Sequence, residues 1–229
     1  MTSSKWHALG NVYLLVEQAD PLTAADARKL AHDTDGVLEV RGNEVTVWNP
    51  DGSVAEMSGN GARIAAAWYA RKTGSREVTL RVGERDVSAT VDGDTVTLEI
   101  GRVDVGEPEA IEGIRFTPVS VGNPHAVVRH DPDDIRRLGP RLENHPRFPG
   151  RTNVQLVRVD GEHDLTVAVW ERGAGETTAS GSSAVAAAAA AVGNGWCTSP
   201  VTVHMPGGDL LVELEDDRAR LTGPAVELA

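Results

Sequence analysis

Two serines open glycine-rich helix starts in matched surroundings, where an anionic ligand can be held. Ser58 precedes Gly59-Asn60-Gly61, and Ser180 precedes Gly181-Ser182-Ser183. Trp48 and Trp170 stand ten residues ahead of them. A helix N-terminus presents unpaired N–H groups and about half a positive charge. Small residues there let a ligand reach the backbone. A carboxylate suits the two ends better than a phosphate, because the basic residues near them are Arg63, a turn further on, and Arg172. The polar residues that complete a candidate site are Asn11, Asn49, Asn60, Asn123, His125, Asn153, Glu171 and Arg172, with Gly59, Gly181 and Ser182 at the helix starts. Each has a plainer reading when taken singly. Asn beside Pro or Gly makes turns, and Ser commonly caps helices. His125 alone reads as a satisfied loop histidine, and Glu171-Arg172 as a surface ion pair.

The elements that must position these residues follow from periodicity and turn signals. Asn11–Val16 reads as a buried strand, and Thr23 caps a helix running to about His32. Val37–Val40 and Glu44–Trp48 form a hairpin across Gly42-Asn43. Val78–Val82, Val87–Val91 and Thr95–Ile100 are strands, the first two joined by Gly83-Glu84-Arg85-Asp86. Phe116–Val121 and Ala126–Arg129 flank Gly122-Asn-Pro-His125, and Asp131-Pro-Asp-Asp134 opens a short helix with carboxylates at its positive end. Asn153–Val159 and Leu165–Trp170 make a second hairpin, and three strands follow the Ser180 helix. A shift of 122 carries Trp48, Ser58, Gly59 and Gly101 onto Trp170, Ser180, Gly181 and Gly223, and Asn11-Val12 resembles Asn153-Val154. Both serine-led helices are apolar nearly all round, the mark of a buried helix. The expected fold is α/β (α+β): two pseudo-symmetric halves, each a curved, mostly antiparallel sheet or barrel around a central buried helix, with the active site in the cleft between them.

Composition bounds the rest. The chain has 229 residues, enough for one large or two small domains, and a formal charge of −12. With no basic cluster to offset that charge, no nucleic-acid partner is expected. The longest apolar run, Ala184–Val192, is too short to span a bilayer, so no membrane partner is expected either. The Met-Thr-Ser-Ser-Lys start has no apolar signal region, and the single cysteine, Cys197, is compatible with the cytoplasm. Cys197 lies in a turn-like segment where a structural role is expected. No metal and no cofactor is expected.

Asn49-Pro-Asp-Gly-Ser-Val-Ala-Glu-Met-Ser-Gly-Asn-Gly-Ala-Arg63 resembles the first signature of the diaminopimelate epimerases, and Glu171-Arg-Gly-Ala-Gly-Glu-Thr-Thr-Ala-Ser-Gly-Ser-Ser-Ala184 resembles their second. His7–Asn11, Gly122–His125, Thr152–Val154 and Leu221–Ala225 fit in the right order, so the resemblance covers essentially the whole chain. It implies a cofactor-independent amino-acid epimerase of lysine and cell-wall biosynthesis that converts LL- to meso-diaminopimelate by two-base proton transfer at the α-carbon. It implies halves spanning 1–115 plus 219–229 and 116–218, a small diamino dicarboxylic acid as substrate, and a homodimer. The family's catalytic pair falls on Ser58 and Ser180, with His125 and Glu171 assisting.

The family carries cysteine where this chain has both serines. A thiol titrates near 8.5 and lower at a helix start, whereas a hydroxyl is a poor base unless a neighbour takes its proton. An inactive or impaired epimerase is therefore expected. An engineered double Cys→Ser variant, a natural relative with changed chemistry, and a protein that has lost catalysis all account for the serines. The intact surroundings favour the first. Val12 also departs from the family's Asp, and the segment before Gly36 is short. The alternatives are an amino-acid-binding protein, or a lyase or isomerase of the same fold that does not need two thiols.

Overall fold

The structure is a computed structural model that describes residues 2–55, 58–83 and 85–228. Glu56-Met57 of the first motif, Glu84 of the expected turn after Val82, and the two terminal residues Met1 and Ala229 lie outside that description. The chain divides into two compact units, Met1–Glu99 with Thr222–Ala229 and Ile100–Leu221. From the sequence the division is placed at 115/116 and 218/219.

In the first unit, β1 (Thr2–Ala8) and β2 (Asn11–Glu17) form an antiparallel hairpin. β2 runs parallel to β3 (Gly36–Arg41) after the crossover α1 (Ala24–Leu30). β3 pairs antiparallel with β4 (Glu44–Trp48). β4 runs parallel to β5 (Glu77–Val82) after α2 (Gly59–Thr73). β5 then pairs antiparallel with β6 (Arg85–Asp92), which pairs with β7 (Thr95–Arg102).

The second unit begins with the short strands β8 (Asp104–Val105) and β9 (Glu109–Ile111), both paired with β10 (Ile114–Ser120). β10 and β11 (Pro124–Arg129) are antiparallel, and β11 runs parallel to β12 (Asn153–Gly161) after α3 (Ile135–Glu143). β12 and β13 (Asp164–Glu171) are antiparallel. The short β14 (Gly175–Thr177) pairs with β13, and after α4 (Gly181–Gly193) β13 runs parallel to β15 (Val201–Met205). β16 (Gly208–Glu215) completes that run antiparallel to β15. β17 (Arg218–Pro224) leads back, and β18 (Val226–Leu228) pairs with β1 in the first unit.

The two units therefore share one alternation of antiparallel and parallel neighbours, with α2 and α4 in the same place. This is the mixed α/β, pseudo-symmetric fold expected from the sequence, with a corrected register. β2 corresponds to β11, so Gly10-Asn11 matches Gly122-Asn123, and both glycines have positive φ (82° and 88°). Asn153 opens β12, the counterpart of β3, so it is not the equivalent of Asn11. An offset match of two residues could not separate these strands, because both begin with Asn and an apolar run.

Both central helices are buried, as their small apolar residues dictate. The inward set also includes Asn60, Arg63 and Ser183, which the apolar reading passed over. Each unit also seats its tryptophan on a buried glutamate. Trp48 Nε1 donates to Glu39 Oε2 at 2.9 Å, and Trp170 Nε1 donates to Glu143 Oε2 at 2.7 Å. Trp170 lies directly under α3, where a Cβ on Gly139 would meet its ring at 2.6 Å.

Candidate active site

Ser58 caps α2 in extended conformation, and its Oγ accepts from Gly61 N at 3.0 Å. The plainer reading of this serine is therefore correct as far as it goes. The same oxygen lies 3.2 Å from the Tyr13 hydroxyl. Tyr13 was not singled out in the sequence, although it follows Asn11 by two residues and so shares its strand face. Ser180 occupies the corresponding position on α4 but makes no side-chain cap. Glu171, the residue that ends β13, is its ionisable neighbour. Burial raises the Glu171 carboxyl above its ordinary range, and the nearby Ser180 hydroxyl offsets part of that rise. Glu171 is thus a carboxylate of increased proton affinity beside a helix-start hydroxyl.

Asn60 and Asn11 join through an Nδ2 to Oδ1 hydrogen bond of 2.6 Å. Arg63 Nη2 donates to the Asn60 oxygen at 2.6 Å, and Arg63 Nε donates to the Pro224 carbonyl at 3.3 Å. Arg63 is fully buried, and burial lowers its pKa to about 10, which leaves it charged at neutral pH.

Asn49 makes the turn its neighbours suggest: its Nδ2 donates to Ser53 Oγ, and its carbonyl accepts from Gly52 N. Gly59 and Gly181 are the first helical residues of α2 and α4, and Ser182 follows half-buried.

His125 is 1% exposed, and both ring nitrogens are engaged. Gln155 Nε2 lies 3.0 Å from Nδ1, and Asn123 Oδ1 lies 3.0 Å from Nε2. Gln155 also donates to Ser183 Oγ at 3.0 Å, tying His125 to the first turn of α4. Neither Gln155 nor Ser183 was anticipated, though Gln155 follows Asn153 by two residues along one strand.

Burial lowers the His125 pKa from 6.5 to about 3, with Gln155 opposing the shift and the Arg172 charge adding to it. The ring is neutral at neutral pH and a weak base. The unfolded chain takes up this proton below about pH 6.5, and the folded chain does not until about pH 3. The His125 contribution is present above 6.5 and is lost as the pH falls through that window, at about 1.4 kcal/mol per pH unit. Urea midpoints should therefore fall more steeply between about pH 6.5 and 5 for the unaltered protein than for His125→Gln. Equal slopes would refute the buried neutral imidazole.

Asn153 is held at both ends of its amide: Nδ2 donates to the Pro124 carbonyl at 2.9 Å, and Oδ1 accepts from Arg172 N at 3.0 Å. Arg172 Nη1 reaches the Gly150 carbonyl at 3.5 Å. The Glu171–Gly173 turn is further held by Gly173 N, which donates to Glu143 Oε1 at 2.8 Å. Cys197 is buried away from this chemistry, with its thiol pushed up by burial. Among the described residues, no cluster of His, Cys, Asp and Glu is placed to hold a metal ion, and no helix is long and apolar enough to cross a membrane.

Comparison with known proteins places the same residues in a family. The family model for diaminopimelate epimerase matches residues 3–109 and 117–228. A diaminopimelate epimerase from Desulfitobacterium hafniense is 38% identical over 268 aligned positions, which cover 96% of this chain and 94% of the relative. The alignment is longer than the 229-residue chain, so the relative carries segments that this chain lacks. Among solved structures, a predicted epimerase from Pseudomonas aeruginosa has a TM-score of 0.76 at 18% identity, covering 99% of this chain and 96% of that one. A phenazine biosynthesis protein of the PhzF family from Enterococcus faecalis has a TM-score of 0.74 at 14% identity, covering 100% and 98%.

Proposed function

The chain belongs to the diaminopimelate epimerase family, and on that premise we propose that it binds a diamino dicarboxylic acid of the diaminopimelate class and exchanges its α-proton slowly through hydroxyl groups. Membership supports a cofactor-independent amino-acid epimerase function in general, with a small-molecule substrate. The specific conversion of LL- to meso-diaminopimelate is the finer part of the proposal. A homodimer and a cytoplasmic location belong to the same reading.

The observation that carries it is the Ser180 hydroxyl at the start of α4 beside a Glu171 carboxyl whose proton affinity burial raises. On the proposed path the α C–H bond breaks as its proton passes to Ser180 Oγ, and the original Ser180 proton passes to the Glu171 carboxylate. The helix-start N–H groups stabilise the negative charge left on the substrate. Ser58, with Tyr13 at 3.2 Å, is the proposed donor of the returning proton. A hydroxyl is a far weaker acid than a thiol, so turnover is impaired relative to a two-thiol enzyme. Asn11, Asn60, Asn123, Asn153, Arg172, Gly59, Gly181 and Ser182 are the proposed binding groups. Asn49 acts by shaping the turn ahead of Ser58, and His125 by orienting Asn123.

The test is binding of LL- and meso-diaminopimelate by calorimetry, with deuterium incorporation followed by NMR in deuterated water. Micromolar to millimolar binding with slow exchange above background is expected. Binding with no exchange would replace the enzyme by an amino-acid-binding protein. No binding of either isomer would defeat the proposal.

A further inference from the structure

The polarity of the Arg63–Asn60–Asn11 hydrogen bonds bears on what kind of ligand group Asn11 can meet. A guanidinium only donates. Arg63 Nη2 therefore fixes the Asn60 oxygen toward itself. Asn60 Nδ2 is then turned away, and it donates to Asn11 Oδ1. The Asn11 oxygen is occupied from the inside, and its NH2 group is what the half-buried start of β2 can offer a ligand. The Arg63 charge is not cancelled locally: Nη1 has no hydrogen-bond partner, and no neighbouring carboxylate contributes to the Arg63 pKa. A buried uncompensated cation polarises the amides bonded to it.

We propose that Arg63, acting through Asn60, is a positioning residue that makes Asn11 a donor-only group and so selects a carboxylate ligand. The identity of the ligand rests on the epimerase reading. The amide orientations do not. Charge-assisted hydrogen bonds from an NH2 group favour a carboxylate over a neutral carbonyl. A reversed amide would present a carbonyl oxygen and repel it.

The test is Asn60→Asp. A carboxylate at this position only accepts. It keeps Arg63 bonded, so the fold is retained, and it obliges Asn11 to turn its NH2 group inward. Two readouts apply to both proteins. Side-chain amide NMR should show Asn11 protons that exchange readily in the unaltered protein and are protected in the variant. Calorimetry with meso-diaminopimelate should show affinity about tenfold or more weaker, the factor expected for losing a hydrogen bond to a charged group. Unchanged Asn11 exchange would overturn the proposal whatever the ligand data show. A turned Asn11 with undiminished affinity would overturn the selection of a carboxylate. If the unaltered protein fails to bind meso-diaminopimelate, the epimerase reading falls, and the exchange readout still decides whether Arg63 sets the amide.

Discussion

Ser58→Cys/Ser180→Cys should raise α-proton exchange of diaminopimelate by about 10²–10⁴-fold, the range for a positioned acid–base group. A thiol near pKa 8.5, lowered at a helix start, supplies a thiolate near neutrality where a hydroxyl supplies none. The gain should be distributed unevenly. Ser180→Cys alone places the thiol beside Glu171, whose partly buried carboxylate then orients it. Ser58→Cys alone replaces a cap that binds Gly61 N, so it should add reactivity while weakening the start of α2. Exchange kinetics in deuterated water at fixed pH measure both. If the double variant binds substrate and exchanges no faster than the unaltered chain, the surroundings are not those of a thiol epimerase, and the binding reading gains. If the unaltered chain already exchanges at the rate of the double variant, hydroxyl chemistry here is far better than its acidity suggests.

Glu143→Leu should lower stability by about 1–3 kcal/mol, because two donors lose a buried acceptor at once. Trp170 Nε1 and Gly173 N both end on this carboxylate. The third partner, Arg151, is about half exposed (53%), so its ion pair adds little. The effect should also reach the site. Gly173 adjoins Arg172, whose backbone N–H holds Asn153, and Trp170 adjoins Glu171. Urea unfolding gives the stability change, and the exchange assay gives the loss of Glu171 placement. A change below about 0.5 kcal/mol would mean that water replaces the carboxylate, and that the turn after β13 is not held from below.

Much of this arrangement can be read from the chain, and the unread part shares a cause. The serine-led helices, both hairpins and the Thr23 cap follow from local patterns that need no distant partner. The structure gives Thr23 a full capping box with Asp26. β1 was not anticipated, because Thr2-Ser-Ser-Lys carries no apolar alternation; its pairing with β2 and β18 supplies the order instead. The glutamates under Trp48 and Trp170 lie nine and twenty-seven residues away in sequence, beyond any helix or strand period. At the site, the residue types were legible and their polarity was not. Asn11, Asn60, Asn123 and His125 are recognisable as candidates, but which atom Asn11 turns outward depends on Arg63, and only a folded arrangement shows that. Arg63 itself looked like a charge one turn beyond the helix start. Its complete burial, and its bond to the Pro224 carbonyl 161 residues away, are visible only in the folded chain.

The pairing of β18 with β1 also sets an order of events during synthesis. Residues Ile100–Leu221 form one uninterrupted stretch, so the second unit has all its parts before the ribosome finishes the chain. The first unit does not. Ala225 N donates to the Asp94 carbonyl, Lys5–His7 wait for Val226–Leu228, and the Pro224 carbonyl that receives Arg63 Nε lies 161 residues further along the chain than its donor. A nascent chain stopped short of Thr222 holds a guanidinium within α2 with one acceptor fewer, and a β1 edge open to other strands. The first unit is thus open to aggregation until Pro224–Leu228 reach it, and it closes later than the second unit although its own strands are made earlier.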